Sequence, residues 1–175
     1  LFVTATVWGQ EPVQQSDGSW EVILTTSGTW TVPANVYEIT VEAVGGGGGG
    51  ARATSSSIAG GGGGGGAYVS STFCVTPDDP ISYNVGIGGS GGQGISNPKN
   101  GGDTWFVNSS TVLAKGGVGT TTSAGGTGGT GGASIGDLTI GGESGAAGTA
   151  NLSGKGGNAG YTDTVGSIGA SENTG

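Results

Sequence analysis

The stretch AVGGGGGGARATSSSIAGGGGGGGAYVSS, residues 43–71, decides the fold. Six glycines follow one strand-like segment and seven precede another. Glycine loses more conformational freedom on folding than any other residue, so such runs favour disorder unless something holds them. The flanks are ordered by pattern. Tyr37, Ile39, Val41 and Ala43 alternate with Glu38, Thr40 and Glu42, which predicts a strand with one buried and one wet, acidic face. AYVSSTFCVT after the second run reads as another strand.

The later chain suggests how glycine could be held. GGTGGTGGAS, residues 125–134, repeats Gly-Gly-X with a period of three. That period belongs to an extended helix of three residues per turn with no internal hydrogen bonds. Its N–H and C=O groups point sideways and need partners elsewhere. With glycine at two positions of three, nothing obstructs a neighbouring chain. Ordering costs about 1–2 kcal/mol per residue, and a net hydrogen bond returns about 0.5–1.5 kcal/mol. An isolated run therefore stays disordered. A bundle of runs, mutually bonded and anchored at both ends by strands, can order.

Composition sets the remaining bounds. The chain has 175 residues, 45 of them glycine, and 5 prolines, too few for collagen. Charged residues make up 9%, so the chain lacks the high charge of typical disordered sequences. Net charge is −8, and the basic residues Arg52, Lys99, Lys115 and Lys155 are scattered. No basic patch suits nucleic acid, and no apolar run has the length of a spanning helix. No nucleic-acid partner and no membrane insertion are expected. Methionine is absent and the start, LFVTATVW, lacks the basic region of a signal peptide, which fits a processed or trimmed chain.

From the start, LFVTATVW alternates, with Leu1, Val3, Ala5 and Val7 forming a candidate assembly strand. Asp17-Gly18 signals a hairpin, after which Trp20, Val22 and Leu24 line one face. TPDDP at 76–80 is a turn, and Ile81, Tyr83, Val85 and Ile87 share one side of the next strand. TWFV and TVLA pair around Asn108-Ser109-Ser110. No segment shows helical periodicity. The fold class is therefore all-β: an antiparallel sandwich or roll with glycine-rich, polyglycine II-like extended segments and almost no helix. Three units are expected: an N-terminal strand and hairpin arm at 1–26, a β-sandwich at 27–115, and Gly-Gly-X segments at 116–175 packed on it.

Little points to chemistry. With no histidine, a Ser-His-Asp triad, a Cys-His pair and His-based metal sites are excluded. GGSGGQG, residues 88–94, approaches a dinucleotide fingerprint, but no helix follows it. Asp78-Asp79 suits backbone bonding in a turn, with calcium or catalysis as the rival reading. Glu38 and Glu42 suit a solvated face, and Asp103 suits a turn cap before a strand. SGKGG around Lys155 lacks phosphate-loop spacing. Asn108 and Asn151 head two glycosylation sequons. Trp8, Trp20, Trp30 and Trp105 are expected to fill a core or a subunit interface, with sugar stacking as the rival role. Cys74, the single cysteine, is expected to be a buried, inert thiol. No catalytic residue, metal site or cofactor is assigned.

The order of features carries a resemblance. SGTWTVPANVYEITVEAVGGGGGG, then GGGGGGGAYVSSTFCVTPDDPISYNVGIGGSGG, then GGDTWFV and TVLAKGG resemble the glycine-rich domain family of bacteriophage tail fibres, adhesins and some bacterial surface proteins. The likeness runs over about 26–132. From 133 onward the texture is similar to the polyglycine-helix bundles of phage tail-tip adhesins, by composition alone. The resemblance implies a non-enzymatic structural or adhesive protein on a virion or extracellular fibre. It implies a homo-oligomer, trimer or filament, facing a host surface glycan or outer-membrane protein. It assigns receptor contact to the loop containing Arg52, Thr54, Ser55, Ser56 and Ser57 and to later loops. Two alternatives stand beside it: a filament subunit joined by addition of the strand at residues 1–8 to a neighbour's sheet edge, and a carbohydrate-binding domain.

Overall fold

The computed structural model describes residues 13–16, 18–53, 59–92, 97–130, 133–150 and 152–160. Among them, nine strands form three antiparallel sheets. The small sheet pairs β1 (Val13–Gln14) with β2 (Trp20–Glu21). Gly18 closes this hairpin at φ +87°, a backbone conformation that glycine adopts without steric cost, as the Asp-Gly signal predicts.

The other two sheets face each other. One contains β3 (Gly28–Thr31), β6 (Pro80–Asn84), β7 (Thr104–Phe106) and β8 (Val112–Ala114), in the order β3-β6-β7-β8. The second has β4 (Glu38–Val44), β5 (Tyr68–Cys74) and β9 (Leu138–Ile140), in the order β4-β5-β9. Trp30, Tyr83, Phe106, Val112 and Ala114 come from the first sheet, and Ile39, Ala43 and Val69 from the second. Together with Val32 and Val36 they form one buried cluster. Phe106 is its hub, with ring centroids 6.0 Å from Trp30, 6.2 Å from Phe73 and 6.3 Å from Tyr83, in the range of favourable aromatic pairs. The predicted all-β sandwich is what the chain forms.

The strand patterns hold in their interiors and fail at their ends. Ile39 and Ala43 are buried and Val41 half-buried, while Glu38 and Glu42 face solvent. Tyr37 precedes β4 and is exposed instead of buried with them. Tyr83 is buried and Ile81 half-buried, but Ile87 lies beyond the end of β6 and is 80% exposed. Period-two alternation stops there and the three-residue repeat begins, so the side chain turns outward.

Cys74 corrects the expectation of a buried thiol. It is exposed, because Phe73 takes the core-facing position of the pleat and Cys74 sits opposite Glu38 on the wet face. Trp30 is fully buried, as expected of a core tryptophan, and Trp20 and Trp105 are half-buried. Asp103 is not a turn cap. Its carboxylate accepts from Lys115 Nζ and, over 2.9 Å, from the amide of Gly116, so it ties the start of β7 to the end of β8. Burial raises its pKa, but these two hydrogen bonds and the Lys115 charge outweigh that and hold it below the ordinary value.

Candidate functional site

Eight extended tracts leave the sandwich on one side. Outward tracts g1 (45–51), g3 (86–92), g5 (115–120) and g7 (141–148) follow β4, β6, β8 and β9. Return tracts g2 (59–67), g4 (97–102), g6 (124–130) and g8 (153–160) come back from them. Their backbone bonds repeat every third residue. The amides of Gly45, Gly48 and Ala51 donate to Ala67, Gly64 and Gly61; those of Gly62 and Gly65 donate to Ala146 and Glu143. This is the three-residue periodicity of the Gly-Gly-X repeat, expressed as tertiary structure.

The bonding pattern is that of a hexagonal array. Tract g2 is at its centre, bonded to g1, g5, g6, g7 and g8. Successive members of that ring also bond to one another: Gly117 to Gly46, Val118 to Thr127, Gly142 to Gly129, and Glu143 to Asn158. Tracts g3 and g4 extend the array beyond g1. Gly60 through Ala67 are all buried without contributing a side chain larger than a methyl.

Close approach, not unusual torsion, is what requires glycine here. Gly18 is the single described glycine with φ in the left-handed region, and it lies outside the bundle. At Gly63, a Cβ would fall against the carbonyl of Gly48 well inside 3.0 Å, which real Cβ atoms essentially never do. Side chains in the array occupy outward positions, as at Val118, Thr127 and Asn158, all exposed.

This geometry gathers the far ends of the eight tracts, as far as they are described, at one place. Tract g1 advances about 3.1 Å per residue, so the tip stands roughly 20 Å from the sandwich. The described residues at the four reversals, 52–53 and 59, 92 and 97–98, 121–124, and 149–150 and 152, meet there. Cross-bonds fix them at one level: Ala59 donates to Thr149, Gly61 to Thr122, Gly148 to Ser123, and Gly92 to Gly50. The 121–124 turn is closed by threonines, with Thr120 Oγ1 donating to the Ala124 carbonyl over 2.8 Å and Thr122 Oγ1 accepting from the Ala124 amide over 3.2 Å. The space beside Gly92 is bounded by Pro98 and the Arg52 amide, which joins the second turn to the first. Thr149 and Leu152 bridge the fourth, leaving Leu152 72% exposed.

Of the residues singled out in the sequence, Arg52 is at this tip and exposed. Thr54, Ser55, Ser56 and Ser57 lie outside the described residues, as do Leu1, Val3, Ala5 and Val7. Thr121, Thr122, Thr149 and Leu152 were not singled out. Their signal was present: each cluster interrupts the glycine repeat, and a reversal between antiparallel tracts must occur at such a break. The four turn sequences, RATSSSI, QGISNP, TTSA and TANL, contain no acid, histidine or cysteine. Asp78 and Asp79 lie far from the tip in a turn on the sandwich, where Asp79 donates its amide to Thr76. Among the described residues no group of three or more His, Cys, Asp or Glu could hold a metal ion.

No curated protein matches this chain. A glycine-rich domain model matches residues 24–175, which takes in the sandwich and all eight tracts. The chain belongs to the glycine-rich domain family.

Proposed function

We propose that this protein is a non-enzymatic adhesive module of a virion or extracellular fibre, and that its distal tip contacts a host surface. The meeting of the described tract ends at one level, on a bundle whose central tract is backbone alone, supports this reading most directly. The bundle is a stiff stalk and the tip is where side-chain identity varies without disturbing the array. A receptor surface made of loops on a rigid scaffold is the usual arrangement for recognition. The turn sequences offer hydroxyls, one amide-rich segment, one guanidinium and one exposed leucine. That set hydrogen-bonds to sugars or to a protein surface and has no group suited to general acid–base catalysis.

The test is binding of labelled protein to arrayed bacterial surface glycans and outer-membrane preparations. Replacement of 52–58 and 121–124 by Gly-Ser sequences of equal length should abolish retention while leaving the far-UV spectrum unchanged. Full retention after all four turns are replaced would exclude the tip as the contact surface.

A further inference from the structure

Polyglycine tracts do not specify their own level. A tract displaced by one repeat of three residues, about 9 Å, presents the same donors and acceptors in the same directions. Tracts g1 and g2 leave and re-enter one sheet, at β4 and β5, and tracts g3 and g4 the other, at β6 and β7. Strand pairing sets the level of g1 on g2: Gly45 and Gly48 donate to Ala67 and Gly64 in the same register as the β4–β5 ladder. Among the described residues no ladder joins the two sheets. The apolar contacts of the core between them are non-directional.

One side chain bonds to both sheets where g1 and g3 begin. Thr104, the first residue of β7, is half-buried. Its Oγ1 donates to the carbonyl of Val44, the last residue of β4, over 2.6 Å. The same oxygen accepts from the amide of Gly86, the first residue of g3, over 2.9 Å. A hydroxyl has one proton and two lone pairs, so it makes both bonds at once. The backbone of Gly102 repeats the link: Gly46 donates to its carbonyl, and its amide donates to the carbonyl of Ile87. Further bonds between g1 and these two tracts follow at steps of three, from Gly49 to Lys99, from Gly89 to Gly47 and from Gly92 to Gly50.

We propose that Thr104 is a positioning residue whose hydroxyl sets g1 level with g3 and g4, and so holds Gly92 on Gly50 at the distal tip. Hydrogen bonds are directional. A hydroxyl bonded to a strand end of one sheet and a tract start of the other therefore admits one offset between them. The repeating bonds of the tracts carry that offset outward. Threonine suits the place because its hydroxyl sits one bond from Cβ, close enough to reach both backbone groups from β7. This positioning does not depend on receptor contact at the tip, and its test reads backbone amides instead of retention on a surface.

Amide exchange in the full chain tests it with Thr104→Val and Thr104→Ser. Valine keeps the shape and removes both bonds, whereas serine keeps the hydroxyl. In Thr104→Val the amides of Gly46, Gly49, Gly89 and Gly92, which bond between the two pairs of tracts, should exchange about tenfold faster or more. Those of Gly45 and Gly48, bonded within their own pair, should keep the parent rates, as should the β4–β5 ladder. Thr104→Ser should keep the parent rates throughout. Three results would overturn the proposal: parent rates at all four amides in Thr104→Val, equal acceleration at Gly45 and Gly48, which would assign Thr104 to general stability, or a serine variant that exchanges like the valine one.

Discussion

Gly48 and Gly63 face each other across the first two tracts with no room for a methyl group. Gly48 donates its amide to Gly64 over 2.8 Å, and its own carbonyl lies against the Cα of Gly63. A Cβ there would sit against the Gly48 carbonyl, which is backbone and cannot swing aside. The run of seven glycines is thus a packing requirement of the central tract.

Gly63→Ala is therefore expected to destabilise by about 1–3 kcal/mol or more, the usual penalty for forcing extra volume into a packed interior. Gly47→Ala is the control. It is exposed and its nearest neighbour would be the Gly64 carbonyl at 3.6 Å, an ordinary contact. Thermal or denaturant unfolding should separate the two variants clearly. Equal stabilities would mean that the tracts are not packed as described.

Hydrogen exchange gives a gradient across the array. Tract g2 is central, so the amides of Gly61, Gly62, Gly64 and Gly65 should exchange far more slowly than those of Gly47 and Gly50, which have no acceptor among the described residues. Uniformly rapid exchange throughout 59–67 would show that these glycines form a tether.

Asp103 links acid stability to the base of the bundle. Its pKa is held below the ordinary 3.8, so it adds stability above that value, and the contribution is lost as pH falls through the lower folded value. Asp103→Asn should lower stability at neutral pH. The gap from the parent chain should shrink as pH drops below 3.8. A gap that is constant with pH would assign the effect to packing and not to charge.

Cys74 should react with a thiol-specific disulfide reagent in the folded protein, at one equivalent per chain and without denaturant, because it lies on the wet face of β5. Reaction confined to unfolded protein would contradict its placement.

Trp30→Ala should cost about 3–5 kcal/mol, the range for removing a large aromatic from a core. Trp30 is 1% exposed and packs against Phe106. Unfolding measurements on Trp30→Ala and Trp30→Phe should rank alanine as the worse, since phenylalanine keeps the ring contact.

Local pattern in the sequence determined the strand interiors, the Asp-Gly hairpin, the all-β class, and the need for paired glycine tracts. These follow from periods of two and three and from turn chemistry, which act over a few residues. Tertiary structure alone decided the rest. Tyr37, Ile87 and Cys74 face solvent because strand ends and pleat register are set by partners distant in the chain. Asp103 meets Lys115 because β7 and β8 pair, and no local turn motif encodes that contact. The meeting of the described tract ends at one tip depends on which tract neighbours which. A polyglycine tract has no side chains to announce its neighbours, so its backbone donors and acceptors fit several partners equally well. The sandwich chooses among them by fixing where each tract begins and ends.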